Sequence, residues 1–285
     1  MRVGLNIINH SIKNMAIQQP TPHLIALKYC IQSLLASDIR EFDWVMVTLD
    51  NGSTCRESEE YIESLGDIEG IIPLRVDKNL GIPRARNLVS RELIDAECDY
   101  IVEIHSDHFF PSVWARPILE HLEKNLGIGI ECSGIISTCP FPGAKIIDSI
   151  YTLPYEDALS LVEMTATREC KNIIRPGLVH PAIKRVEMLN QIGLYEEDLP
   201  VNQCHEDVEE VFRAKQEGWH VVINRNSFVY HHQYYSRGVI SAQVEPMDQW
   251  LERLKQNTEF FIQKHGALWV WWTVEYNNMI WDALS

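Results

Sequence analysis

The sequence predicts an α/β fold built on a mostly parallel β-sheet that is flanked by helices. Short apolar segments alternate with segments of helical length from residue 2 to residue 137, and this alternation is typical of βαβ crossovers. The segment 44–50 is nearly all apolar, as expected of a strand that is covered on both faces. Because ligands bind at the carboxyl ends of parallel strands, polar residues at those ends are candidates for a site.

Strands and helices follow one another in a regular order along the first half of the chain. The predicted strands are 2–8, 44–50, 71–77, 99–104 and 127–137, and the predicted helices are 21–37, 56–65, 81–96 and 112–125. Thr21 is a suitable N-cap. Pro22 and Pro83 fall in first turns, where the missing N–H of proline costs no helical hydrogen bond.

The second half is less regular. The predictions here are an irregular insertion at 138–170, a helix at 180–197, a helix at 205–218 that ends at Gly218, and one or two strands within 219–238. We expect one domain at 1–240, followed by a helical and aromatic-rich extension at 241–285.

Composition excludes several classes of protein. A chain of 285 residues that is 46% hydrophobic can close a large core. A formal net charge of -15 argues against a nucleic-acid partner, and no apolar segment approaches the ~20 residues of a membrane-spanning helix. Seven cysteines without a CxxC pair, and no signal-peptide pattern, favour a reduced, cytoplasmic setting.

Two predicted strands end in runs of polar residues. Asp50 and Asn51 end the second strand, and the fourth strand passes from Ile104 into His105-Ser106-Asp107-His108. Burying such groups costs several kcal/mol unless a partner compensates them. We therefore expect an ion or a ligand in a cleft at these strand ends.

Four sequence blocks, in this order, resemble the family-2 glycosyltransferases of the GT-A fold. They are "TLDNGST" (48–54), "NLGIPRARN" (79–87), "IHSD" (104–107) and "HED" (205–207), and "VYHH" (229–232) follows. The resemblance covers about residues 1–235. It implies an inverting, metal-dependent transferase that moves a sugar from a nucleotide-sugar, with UDP the expected nucleotide, to an acceptor hydroxyl. It also implies a donor half at 1–110 and an acceptor half at 111–240.

On the donor side, the resemblance assigns nucleotide contacts to the ends of the second strand and the third helix. It implies that Asp50 accepts hydrogen bonds from uracil, whereas the residue pattern alone equally predicts an Asx-turn with Asn51; both can hold together. Arg84, at the start of a helix, matches the residue that approaches the diphosphate. Arg86 and Asn87 are expected to support the fold instead.

The resemblance also implies a divalent cation, Mn²⁺ or Mg²⁺. Asp107 matches the last residue of the family's Asp-x-Asp motif, and a cation there offsets the charge of the leaving diphosphate. His105 stands where the family has an acid; it could bind a hydroxyl, favour Mn²⁺ or softer ions, or be satisfied by backbone. His231 resembles the family's metal-binding histidine, and the adjacent His232 is a second candidate ligand of the metal. Arg237 lies in a loop that could close over phosphates.

Asp207 resembles the catalytic base of inverting members, which removes a proton from the acceptor hydroxyl. Glu206 would then be a neighbour whose like charge raises the pKa of the base. The alternative is that both are ordinary acids of a first helical turn, where they favour the helix dipole.

The expected partners are a nucleotide-sugar donor and a glycan, lipid-linked or protein acceptor, with a homodimer as a further option. Five aromatic residues mark the carboxyl-terminal extension: Trp269, Trp271, Trp272, Tyr276 and Trp281. Packing onto the catalytic domain is the first expectation for them, and sugar stacking, a dimer contact or a membrane-surface contact are alternatives.

Two other functions stay open at the level of sequence. His105 in place of an acid leaves room for a catalytically silent protein that binds a nucleotide-sugar or a glycan. A nucleotidyltransferase on a similar sheet is the other alternative, but such enzymes usually carry a Gly-rich phosphate loop near the first strand, and residues 6–15 contain no glycine.

Overall fold

A mixed β-sheet forms the centre of the molecule. The computed structural model describes residues 1–11, 22–138, 145–201, 205–232 and 247–284. The strands are β1 Arg2–Asn9, β2 Asp43–Asn51, β3 Ile71–Val76, β4 Tyr100–His105, β5 His108–Phe109, β6 Ile128–Ser137, β7 Lys145–Ile146, β8 Ile174–Pro176, β9 Ala182–Arg185 and β10 His220–His231. Their order is β3-β2-β1-β4-β9-β6-β10-β5, with β7 beside β6 and β8 beside β10.

Helices cover both faces of this sheet. They are α1 Pro22–Ala36, α2 Arg56–Ser64, α3 Ile82–Asp95, α4 Ala115–Lys124, α5 Tyr155–Glu169, α6 Val186–Ile192, α7 Glu206–Gln216, α8 Met247–His265 and α9 Ala267–Leu284. Helices α1, α2 and α4 pack on one face, and α3, α6 and α7 pack on the other together with α8 and α9. None of the helices in the described ranges is both long enough and apolar enough to cross a membrane.

Strand direction decides where a site can form. Strands β1 to β4 run parallel to one another where they pair, and β6 runs parallel to β10. Strand β9 lies between β4 and β6 and is antiparallel to both. The parallel strands therefore all end at one edge of the sheet, at Asn9, Asn51, His105, Ser137 and His231, and β9 begins there. We call this the carboxyl edge.

The strand β1 shows why the sequence folds this way. Its residues Val3, Leu5 and Ile7 are at most 1% exposed and pack against the α1 side of the sheet. On the other face, a Cβ added to Gly4 would lie 2.9 Å from Leu93 of α3. Glycine thus lets the helix approach the strand, and each fully buried apolar side chain contributes about 1.5–3 kcal/mol.

The carboxyl-terminal helices pack onto the α3 side of the sheet. Trp269 is fully buried, and it lies in the same apolar cluster as Phe212 of α7 and Phe261 of α8. Trp271, in contrast, is 62% exposed. The side chain of Trp281 lies outside the described residues.

The structure agrees with the predicted α/β fold and corrects two predictions for the second half of the chain. The helix predicted at 180–197 is wrong in its first part, because residues 182–185 form β9 and only Val186–Ile192 is helical. The insertion predicted to be irregular contains helix α5. Four residues are too few to show a helical or a strand period, so pairing with β4 and β6, which are distant in sequence, decides the conformation of β9.

Candidate active site

The carboxyl edge brings together residues that the sequence places far apart. Asp50 and Asn51 end β2, His105 ends β4 and His231 ends β10. In the short β5, His108 pairs with His231. This is the edge at which doubly covered α/β sheets bind ligands.

Asp50 is buried with one oxygen satisfied and one free. The side chain is 1% exposed. Its Oδ1 accepts a hydrogen bond from the N–H of Ser53, three residues further on, at 3.0 Å, whereas the predicted Asx-turn would use the N–H two residues further on. Its Oδ2 has no hydrogen-bond partner among the described residues. A buried carboxylate oxygen of this kind can accept an N–H from a ligand.

Asn51 holds the turn that leads into α3. Its Oδ1 accepts from the N–H of Leu80 at 2.9 Å, and its Nδ2 donates to Asn79 Oδ1 at 3.1 Å and to Gly81 O at 3.4 Å. The side chain is therefore engaged within the protein. It positions the amino end of α3 beside the end of β2.

Arg84 lies in the first turn of α3 and reaches across to the segment before α7. Its Nε donates to the carbonyl of Glu197 at 3.1 Å, and its Nη2 lies 3.7 Å from Asp198. The side chain is 49% exposed. To bind the Arg84 side chain, a ligand at this end of α3 would have to displace only these two partly exposed contacts, with Glu197 and Asp198.

Arg86 is deeply buried and ties the central strands together. It donates to the carbonyl and the side chain of Asn6 in β1 at 2.7 and 2.9 Å, and to the carbonyl of Ile104 in β4 at 2.7 Å. Its Nε lies 3.3 Å from Glu103. Asn87 likewise bonds within the protein, to Tyr195.

Asp107 and His231 meet at the carboxyl edge. His231 Nε2 lies 3.4 Å from Asp107 Oδ1 and 3.4 Å from His105 Nδ1. The backbone N–H of His232 donates to the carbonyl of Asp107 at 3.2 Å, and its ring stacks on Tyr151 with centroids 5.7 Å apart. The two consecutive histidines thus have different surroundings, and His231 is the one grouped with Asp107 and His105.

Four imidazoles form what we call the histidine cluster: His105, His108, His180 and His231. His105 lies 5.1 Å from both His108 and His231, measured between ring centroids, and 4.5 Å from His180. Burial, and then the neighbouring imidazoles, lower the pKa of His105 and His108 well below the usual range. Burial lowers the pKa of His180 to about 4. These three imidazoles are neutral at pH 7. His108 Nδ1 accepts a hydrogen bond from the N–H of His105 at 3.1 Å, so His105 and His180 are the two that keep a lone pair for a ligand.

His180 is a site residue that sequence reasoning missed. It directly precedes β9, and the antiparallel insertion of β9 brings it to the carboxyl edge. The sequence predicted a helix from residue 180, in which this histidine had no special place. His108 carried a better signal, because it follows directly on the "IHSD" block.

A charge network lies beside the histidine cluster and consists of Glu103, Lys184, Glu210, Tyr195 and Arg86. Lys184 Nζ lies 2.6 Å from Glu103 and 2.7 Å from Glu210. The hydroxyl of Tyr195 donates to Glu103 at 2.8 Å. Burial alone would raise the pKa of Glu103, but Lys184 and Arg86 hold it well below its usual range. The network joins β4, β9, α3 and α7.

Asp207 begins α7 next to this network. Its Oδ1 accepts from the N–H of Val208 at 2.8 Å. Burial raises the pKa of Asp207, and the negative charge of Glu103 raises it further, whereas Val208 and Lys184 lower it. The raised pKa of Asp207, which the sequence predicts from the like charge of Glu206, instead comes from burial and Glu103. Glu206 itself is 8% exposed and interacts electrostatically with Arg86.

The donor atoms at the carboxyl edge fit a divalent cation. Two groups have ligand atoms within 4.8 Å of one another, namely His105, His108 and His231, and Glu103, His105 and His180. Neutral imidazole nitrogens and a carboxylate are ordinary ligands of divalent transition metals. Arg237, which the sequence assigns to a loop over the phosphates, lies outside the described residues.

Comparison with known proteins identifies the fold. Residues 26–139 match the family model described as Glycosyl transferase family 2. No curated protein sequence matches the chain significantly.

Solved structures of glycosyltransferases share the architecture. S. aureus TarS 1–349 in complex with UDP-GlcNAc has 14% sequence identity and a TM-score of 0.61, over 99% of this chain and 73% of that chain. GalNAc-T7 with UDP, GalNAc and Mn²⁺ has 16% identity and a TM-score of 0.59, over 81% of this chain and 43% of that chain. S. aureus TarS 1–349 in complex with UDP has 12% identity and a TM-score of 0.55, over 81% of this chain and 60% of that chain. The predicted GT-A fold and family resemblance are confirmed.

Proposed function

We propose that this GT-A chain, of which residues 26–139 match the family-2 glycosyltransferase model, transfers a sugar from a nucleotide-sugar to an acceptor hydroxyl with inversion. The single observation that carries the proposal is the grouping of Asp107 with His231 and His105 at the carboxyl edge, 3.4 Å apart. UDP in TarS, and UDP with Mn²⁺ in GalNAc-T7, support the choice of a UDP-sugar and a divalent cation.

The donor nucleotide binds at the end of β2 and the start of α3. Asp50 Oδ2 is buried and free of partners in the described part of the chain, which suits a base N–H such as that of uracil. The amino end of α3 favours an anion, and Arg84 stands in its first turn with its side chain 49% exposed. Asn51 keeps this helix end in register with β2.

Asp107 and His231 would hold the cation, with His105 beside them. When bound, a divalent cation supplies positive charge that stabilises the diphosphate as it leaves the sugar. The burial that keeps His105 neutral removes a competing proton from that position. His232, which donates its backbone N–H to Asp107, helps to position the carboxylate-bearing turn.

Asp207 removes the proton from the acceptor hydroxyl as its oxygen attacks the anomeric carbon. A single carboxylate is enough for inversion, because no covalent sugar intermediate forms. Burial raises the pKa of Asp207 and so makes it a stronger base when it is ionised. Its electrostatic interactions with Glu103 of β4 and Lys184 of β9 support this role. Glu206 supports this helix start from its buried position beside Arg86.

The proposal is tested by measuring free nucleotide after incubation with UDP-, GDP- and dTDP-sugars and Mn²⁺. We expect slow release from a UDP-sugar. Asp207→Asn should lower it by about 10²- to 10⁴-fold while nucleotide affinity stays within about twofold. Glu217→Gln, an exposed acid past the other end of α7, is the matched control.

Nucleotide binding without release from any donor would favour the silent binding protein that His105 left open. Unchanged release in Asp207→Asn would remove Asp207 from the role of base.

A further inference from the structure

We propose that the carboxyl-terminal helices α8 and α9 position the proposed base, Asp207, by holding His205 just before it and Val208 just after it. Thr258 of α8 and Trp272 of α9 are the positioning residues. The inference rests on the proposed function, because Asp207 is the base of that proposal. It goes beyond the proposed function by giving the carboxyl-terminal helices a part in the reaction.

The residue two positions before Asp207 has an unusual backbone. His205 has φ 69° and ψ -1°, in the left-handed region, which residues other than glycine seldom adopt. Its carbonyl accepts a hydrogen bond from the N–H of Glu209 at 2.9 Å and so begins α7. Such a conformation persists only where the surrounding structure holds it. The direction in which α7 starts, and with it the place of Asp207, therefore depends on what holds His205.

Helix α8 holds the side chain of His205. Its Nε2 lies 3.0 Å from Thr258 Oγ1. The Thr258 hydroxyl donates its own hydrogen to the carbonyl of Leu254 at 2.8 Å, so its oxygen accepts from the imidazole, which carries its hydrogen on Nε2. Burial lowers the pKa of His205, so the ring is a neutral donor at pH 7. The ring also stands edge-on to Trp269 of α9, with centroids 6.0 Å apart.

Both helices also hold the residues that follow Asp207. Trp272 of α9 is 8% exposed, and its Nε1 donates to the carbonyl of Val208 at 3.2 Å. His265, the last residue of α8, places its Nε2 3.0 Å from Glu209 Oε1. Contacts from α8 and α9 therefore lie on either side of the proposed base along the chain.

Val208 links the contact with Trp272 to the carboxylate. The N–H of Val208 donates to Asp207 Oδ1 at 2.8 Å, while its carbonyl accepts from Trp272. Tyr276 follows one turn later on α9, and burial and then the negative charge of Asp207 raise the pKa of Tyr276. A misplacement of about 1 Å can lower the rate of a reaction about 100-fold. Helices that hold this turn can therefore set the rate without touching the substrate.

Matched substitutions in the full chain test the inference, with nucleotide release from a UDP-sugar as the assay. Thr258→Val removes the hydroxyl that accepts from His205, and Trp272→Phe removes the N–H that binds Val208. We expect each to lower kcat by about 10- to 100-fold while KM for the nucleotide-sugar stays within about twofold, since the donor site on β2 and α3 is untouched. Thr258→Ser keeps the hydroxyl and should restore the kcat of the unchanged protein.

Each substitution has a matched control on α9. The hydroxyl of Thr273 donates to the carbonyl of Val270 in the same helix at 2.9 Å, and Trp271 is 62% exposed. Thr273→Val and Trp271→Phe remove the same chemical groups but leave the contacts with His205 and Val208 in place. Both should keep kcat within about twofold of the unchanged protein.

Amide hydrogen exchange of residues 205–210 gives a second measurement that needs no turnover. Loss of either hydrogen bond should speed exchange there by about three- to tenfold, the effect of one neutral hydrogen bond. One substitution lies in each helix, so the test stands should one variant unfold. Unchanged kcat in both variants, a fall in kcat that Thr258→Ser shares, or unchanged exchange in both variants would each overturn the inference.

The inference and the proposed function fail separately. Release that Asp207→Asn abolishes, but that Thr258→Val and Trp272→Phe leave unchanged, would keep the transferase and end the positioning role. If the unchanged protein releases no nucleotide from any donor, the transferase fails, and hydrogen exchange alone then decides whether α8 and α9 hold this turn.

Discussion

The histidine cluster and the charge network lie side by side at the carboxyl edge, yet the buried side chains of the network are charged and paired, whereas those of the cluster are mostly neutral. They meet on β4, where Glu103 and His105 are two residues apart and so share a face of the strand. In the network, the charged atoms of Lys184 lie 2.6 and 2.7 Å from opposite charges. In the cluster, burial keeps His105, His108 and His180 neutral, and His231 lies 3.4 Å from His105.

This difference distinguishes the residues that stabilise the fold from the residues that can bind a ligand. Paired charges are saturated, so they hold β4, β9 and α7 together and have little left to offer a ligand. Neutral imidazoles carry no charge that must be paired, and His108 Nε2 has no hydrogen-bond partner in the described part of the chain. Unsatisfied buried polar groups in a folded protein call for an explanation, and a bound ion is one.

The largest effect expected from this comparison follows from breaking the network. Lys184→Met keeps the shape of the side chain but leaves Glu103 and Glu210 facing each other in the interior, so we expect a loss of about 3–5 kcal/mol in the free energy of unfolding. His105→Leu should cost less than about 1.5 kcal/mol in metal-free protein, because it replaces a neutral side chain. Denaturant unfolding measures both, and equal losses would contradict the distinction.

A double-mutant cycle sharpens the same contrast. Glu103→Gln and Lys184→Met together should be less damaging than the sum of the single changes, with a coupling of about 1–3 kcal/mol, because each removes the partner of the other. Urea titrations of the four proteins give the coupling. Additivity within about 0.5 kcal/mol would mean that this ion pair is not coupled in solution.

The charge network should also shift the pKa of Asp207, the proposed base. Four groups face Asp207, namely Glu103 of β4, Lys184 of β9, Tyr195 and Tyr276 of α9. Because burial and then Glu103 raise the pKa of Asp207, turnover should fall on the acid side at a higher pH than the ~4 of an ordinary aspartate. Turnover should therefore be high above the pKa of Asp207 and low below it, because a base must be ionised to accept a proton.

The pH profile of nucleotide release measures this. Glu103→Gln removes a charge that raises the pKa of Asp207 and should move the acid limb to lower pH. Lys184→Met removes a positive charge that lowers the pKa of Asp207 and should move the acid limb to higher pH. Shifts in the reverse directions would show that another group titrates.

The smallest effect is expected at an exposed ion pair of the same chain. Arg56 Nε lies 2.6 Å from Glu60 on α2, with the two side chains 85% and 57% exposed. Solvent screens such pairs, so Arg56→Ala should change the free energy of unfolding by only about 0.3–0.5 kcal/mol. A loss comparable to that of Lys184→Met would show that burial is not what sets the energy of these pairs.

Much of the first half of the chain could be predicted, because its signals are local. Strand β2 ends in Asp50 and Asn51, and β4 runs into His105 and Asp107, so the residues at the carboxyl edge follow from strand boundaries that apolar runs define. The role of Arg86 inside the fold was also predicted, and its three hydrogen bonds to β1 and β4 give that role its physical basis.

The second half resisted prediction because its signals are not local. Residues 182–185 contain two basic residues, Lys184 and Arg185, which read as solvent-facing in a helix. Both are at most 8% exposed in β9. Lys184 is stabilised by Glu103 and Glu210, which are 81 and 26 positions away in the sequence. A pattern in a short segment of sequence cannot indicate partners at that distance.

The sequence by itself determined that apolar strands alternate with helices, that polar residues stand at the strand ends, and which family the chain resembles, because each depends on neighbours along the chain. Only the tertiary structure decided that β9 inserts antiparallel between β4 and β6, bringing His180 to the carboxyl edge and Lys184 between two acids. It alone set which histidines are neutral, since burial and the fields of distant side chains, rather than the identity of the residue, fix the charge of a buried imidazole.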